Sequence, residues 1–74
     1  MTETERVLFF LAAFNWYRAR YSETLEDLNK EKFEAYYTPE LIVARTEQRS
    51  GFYLKDEDRK YMIDKLKEEI ADKG

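Results

Sequence analysis

The chain has 74 residues, 43% hydrophobic and 39% charged, with 13 basic and 16 acidic side chains and a formal net charge of −3. That balance excludes a disordered polyelectrolyte, and it is neither the polycation of a general nucleic-acid binder nor a strongly acidic nucleic-acid mimic. Cys and His are both absent, which removes disulfides, nearly removes a structural zinc site, and takes away the commonest general base and the strongest nucleophile.

The first predicted element runs over about residues 3–21. Thr2 and Glu5 have the spacing of a capping box, which starts a helix near residue 3. At about 100° per residue, Val7, Phe10, Leu11, Phe14, Tyr17 and Tyr21 gather on one face, the stripe expected to meet a core. Leu8, Phe9, Ala12, Trp16 and Ala19 gather on another. Thr4 and Asn15 separate the two along one seam, Arg6 and Arg20 along the other. A surface helix needs only one apolar stripe, so the second face calls for further helices of the same chain or for another chain. The uninterrupted apolar run, 7–14, is far short of the roughly 20 residues of a membrane span. Glu3 and Glu5 at the start also fit a signal peptide poorly. The expected compartment is therefore the cytoplasm, with no membrane partner.

Ser22 is the expected break. A second helix over about 23–37 is capped by Ser22 or Thr24, with Leu25, Leu28, Phe33 and Tyr36 on a broad face and a Glu26–Lys30 pair in support. Thr38-Pro39-Glu40 is the clearest start signal in the chain: a hydroxyl cap, Pro where no N–H is needed, and an acid at the positive end of the helix dipole. It opens a helix over about 39–50 that Gly51 closes. Within it Leu41, Ile42, Val43 and Ala44 are consecutive and mark no single face, so a hairpin over 41–54 is the alternative, favoured by Ile42, Val43, Phe52 and Tyr53. Glu47-Gln48-Arg49-Ser50 lacks tight-hairpin chemistry, which favours the helix. Asp56, Glu57 and Asp58 begin a last helix over about 56–72, with Met62, Ile63, Leu66 and Ile70 on its buried side and Lys60, Asp64, Lys65, Lys67, Glu68 and Glu69 mostly solvated.

The expected architecture is all-α: one domain, residues 1–74, forming a compact bundle of three to four short helices. A chain this short has a single small core that rarely supplies more than about 3–5 kcal/mol, and without disulfides or metal the usual supplement is oligomerisation. Ser22 and Ser50 sit at predicted helix ends, where capping explains them. Asp56 and Asp58 lack the alternating pattern of a calcium loop, and the two glycines cannot build a phosphate loop. No catalytic residue, metal ligand or cofactor is expected.

The sequence reads instead as a small protein-binding module: a regulator, inhibitor or assembly accessory, of a kind that fits a phage or mobile-element modulator. It is expected to pair with itself, as a homodimer, or with another protein. The candidate contact residues are Leu8, Phe9, Ala12, Trp16, Ala19 and Arg20, with Trp16 as anchor, since Trp, Tyr and Arg most often anchor protein interfaces. The second reading is a nucleic-acid-binding accessory using Arg45, Arg49, Phe52, Tyr53, Arg59 and Lys60, because basic residues among aromatics can hold phosphates and stack on bases. Acids interleaved in the same stretch weigh against it.

Overall fold

The computed structural model describes residues 1–24 and 29–73. Four helices follow one another: α1 Glu3–Thr24, α2 Lys30–Tyr36, α3 Pro39–Ser50 and α4 Asp56–Lys73. Among the described residues there is no strand, so the hairpin over 41–54 does not form. Helices α1, α3 and α4 pack on one another around Phe9, Ala13, Phe14, Ile42, Val43, Leu54, Met62 and Leu66. No helix among the described residues is long and apolar enough to cross a membrane.

The local signals explain most boundaries. Thr2 N–H donates to Glu5 Oε1 at 2.8 Å and Glu5 N–H to Thr2 Oγ1 at 3.1 Å, the reciprocal capping box that starts α1. At the far end α1 passes through Ser22, the expected break, and ends at Thr24, whose hydroxyl donates to the Arg20 carbonyl at 2.6 Å. An Arg20–Glu23 ion pair supports the same turn. Helix α2 starts later than expected. Asn29 is its cap, accepting from Lys32 N–H at 2.8 Å, while Leu25, Glu26 and Leu28 lie outside the described residues. Thr38 caps α3 by accepting from Leu41 N–H at 3.2 Å, with Pro39 in the first turn. Gly51 closes α3 in the left-handed region, φ 73°, where a side chain would be strained.

The inward face of α3 combines two apolar and two polar residues, Ile42, Val43, Thr46 and Glu47, all buried. The Thr46 hydroxyl is satisfied by the Ile42 carbonyl at 2.8 Å. Glu47 Oε2 accepts from Leu54 N–H at 2.7 Å and from Arg59 Nη2 at 2.9 Å. One buried carboxylate thus fastens the α3–α4 connection to the start of α4. At α4, Met62 and Leu66 are fully buried and Ile63 and Ile70 half-buried, the stripe expected of this helix.

The orientation of α1 differs from the expected one. Its buried side carries Phe9, Ala13 and Phe14, flanked by half-buried Phe10, Trp16, Tyr17 and Tyr21. The centre of this face is the Arg6–Arg20 seam, expected to separate two apolar faces rather than to lie at the middle of one. Arg6 lies there because Asp58, itself buried, accepts from its Nε at 3.4 Å and its Nη2 at 3.2 Å, and because its guanidinium sits 4.5 Å from the centre of the Tyr61 ring. Turning α1 this way brings Val7 and Leu11, expected in the core, to the surface.

Candidate functional site

Two surfaces border α1. The first is its outer face, where Val7, Leu8 and Leu11 are 52%, 62% and 48% exposed and Ala12 and Ala19 are exposed beside them. Residues three and four apart on a helix are neighbours, so Val7, Leu8, Leu11 and Ala12 form one apolar patch over two turns, bounded along the helix by exposed Thr4 and Asn15 of the seam between the two expected faces. Phe52, 44% exposed, comes over from the α3–α4 connection. Between it and α1 opens a hollow of about 260 Å³ lined by Leu8, Phe9, Ala12, Thr46 and Phe52.

Charge brackets the stripe. Glu3 and Glu5 lie in its first turn, while Arg18 is exposed near its other end. By helical geometry Glu3 and Arg18 fall on the same flank, the one nearest Val7. The Glu5 carboxylate is held below its ordinary value of 4.5, first by the Thr2 backbone N–H and then by the Thr2 side chain.

The second surface is a cleft of about 320 Å³ lined by Trp16 and Arg20 of α1, Tyr36 of α2, Tyr37 beyond its end, and Arg45 and Arg49 of α3. Arg49 places its guanidinium 5.9 Å from the Trp16 ring centre. The half-buried Tyr37 ring packs against Phe33 at 4.6 Å, Tyr36 at 4.8 Å and Trp16 at 5.7 Å. Arg20 pairs with Glu23. Among the described residues no carboxylate forms an ion pair with Arg45 or Arg49.

The two candidate residue sets are therefore divided differently from expectation. Of the first set, Leu8, Ala12 and Ala19 lie on the outer face, Phe9 is 6% exposed in the core, and Trp16 and Arg20 belong to the cleft. In the second set, Arg45 and Arg49 join that cleft, while Phe52 and Tyr53 are exposed on the α3–α4 connection. Arg59 is engaged by Glu47, and Lys60 is exposed on α4. Val7 and Leu11, expected in the core, complete the first surface, and Tyr36 and Tyr37 complete the second. The signal that could have found Val7 and Leu11 is Ala13. Its small side chain permits close packing on the Arg6–Arg20 seam, which turns the opposite flank outward.

A third hollow, of about 330 Å³, lies between α1, α2 and α4 and is lined by Tyr17, Arg18, Tyr21, Glu34 and Ile70 among others. Burial, followed by the nearby Glu34 charge, raises the Tyr17 hydroxyl above its ordinary value of 10.0. Among the described residues no group of three acids stands close enough to hold a metal ion. Comparison of the chain with protein-family models, with curated proteins and with solved structures finds no match in any of the three.

Proposed function

We propose that this is a small non-catalytic protein-binding module that associates with a second copy of itself through the outer face of α1. The observation that carries the reading is the run of Val7, Leu8 and Leu11, each about half exposed or more, on consecutive turns of one helix. Scattered exposed apolar residues are ordinary, but a contiguous stripe beside an apolar hollow is the usual mark of a contact surface. Covering Leu8 and Leu11 would contribute about 1–2 kcal/mol each, a useful addition for a core of this size.

The charge pattern favours a second copy over an unrelated helix. A two-fold axis between antiparallel α1 helices sets like flanks against one another. Glu3 of one protomer then meets Arg18 of the other, and the exchange is repeated at the opposite end. Such exposed pairs add little affinity, yet they fix direction and register.

The test is a mixed sample of carbon-13-labelled and unlabelled protein, read for contacts between molecules. Methyl groups of Val7, Leu8 and Leu11 should show intermolecular cross-peaks to α1 of the unlabelled copy. A dimer whose cross-peaks arise elsewhere, or none at millimolar concentration, overturns the assignment.

A further inference from the structure

We propose that the cleft formed by Trp16, Arg20, Tyr36, Tyr37, Arg45 and Arg49 binds an acidic segment of a partner protein, with side-chain carboxylates held by Arg45 and Arg49. This cleft lies away from the outer stripe of α1, and its occupation does not depend on self-association.

Arg45 and Arg49 stand one turn apart on α3, and Arg20 of α1 adds a third guanidinium to the same opening. Like charges four residues apart on a helix repel. Arg20 has Glu23, but no described carboxylate pairs with the other two. The α3 dipole accounts for Arg49, which stands in its last turn. It does not account for Arg45, a turn earlier, or for Arg20 on another helix. An incoming carboxylate would relieve the repulsion and meet a guanidinium fork suited to it. Arg49 is partly organised for this by its position over Trp16.

The aromatic residues decide which anion. A single nucleic-acid strand is held by bases stacking on free aromatic faces along a cationic track. Here Arg49 stands over the Trp16 ring, and the Tyr37 ring is half-buried and packed against three others. Tyr36, 59% exposed, is the one ring of the cleft that offers an open surface. The cationic lining is confined to three arginines, too short a track for a long run of phosphates. A short acidic peptide needs only the guanidinium forks and an apolar wall for its side-chain stems, and both are present.

Trp16 is the only tryptophan of the chain, so its fluorescence reports directly on the cleft. The protein is titrated with a capped hexaglutamate peptide at low salt, and separately with hexathymidylate. The proposal expects a saturable change with the peptide that weakens as salt is raised. The Arg45→Gln/Arg49→Gln variant, its helicity checked by circular dichroism, should need at least about tenfold more peptide. Arg45→Gln alone, which leaves the Arg49–Trp16 contact in place, should weaken binding in the same direction. No saturable change, or an unaltered midpoint in the folded double variant, overturns it. Saturation by hexathymidylate at lower concentration than by the peptide also overturns it, in favour of a nucleic-acid site.

Discussion

Glu47 shows how one side chain can fix a connection. Its carboxylate is buried, accepts the Leu54 N–H and holds Arg59, while its own carbonyl accepts the Gly51 N–H at 2.9 Å. Glu47→Ala would leave a buried amide without a partner and free the guanidinium that reaches across to it. We expect a loss of about 2–3 kcal/mol in denaturant unfolding; a loss below about 1 kcal/mol would mean that the loop is held by other contacts. Glu5 makes a pH-dependent contribution at the other end of the chain. Its pKa in the folded state lies below the ordinary 4.5, so the cap stabilises α1 above that value and is lost as pH falls through the lowered one. A carboxyl carbon-13 titration should give Glu5 a midpoint below 4.5. Fraying of the first turn of α1 should follow the same curve and be absent in Glu5→Gln. A midpoint at or above the ordinary value would contradict the capping-box account.

At the scale of elements, capping chemistry was the part most legible in the sequence. Thr2 with Glu5, Thr38-Pro39 and Gly51 each mark a boundary that the structure keeps, because these interactions are local. Faces were less legible, because they are decided by distant partners. Arg6 reads as polar until Asp58 is placed opposite it, 52 residues away in sequence. Thr46 and Glu47 are polar yet buried for the same reason, since their partners are fixed only by the fold. The α1 face was therefore assigned about one seam away from its true centre. Helix α2 raises a different question, since seven residues are too few for a helix to persist alone. Phe33, fully buried, anchors it through Tyr21 at 5.0 Å and Tyr17 at 5.6 Å, outside the central cluster of α1, α3 and α4. Phe33→Ala should weaken the seating of α2 on α1 by about 3–5 kcal/mol, felt as local opening of α2 rather than as unfolding of the core. Amide exchange should rise in α2 well beyond the rise in α3 and α4; an equal rise in all three would show that α2 and the core open together.

For the whole molecule, the four-helix architecture could be read from composition and punctuation, but the surfaces bordering α1 could not. They arise where residues from different helices meet. The sequence groups Trp16 and Arg20 with Leu8 and Phe9, yet they stand with Arg45 and Arg49 of α3. Leu8 instead shares its surroundings with Phe52, 44 positions further along the chain. What remains exposed is an apolar stripe on a molecule whose core is small, and our central claim is that a second copy covers it. The most direct test is solution mass by light scattering across a concentration series, with wild type beside Leu8→Glu/Leu11→Glu and circular dichroism on every sample. We predict a wild-type dimer that dissociates on dilution and a double variant that is monomeric at all concentrations with the same helicity. A wild type that stays monomeric throughout, or a dimer that the two glutamates leave intact, would contradict it.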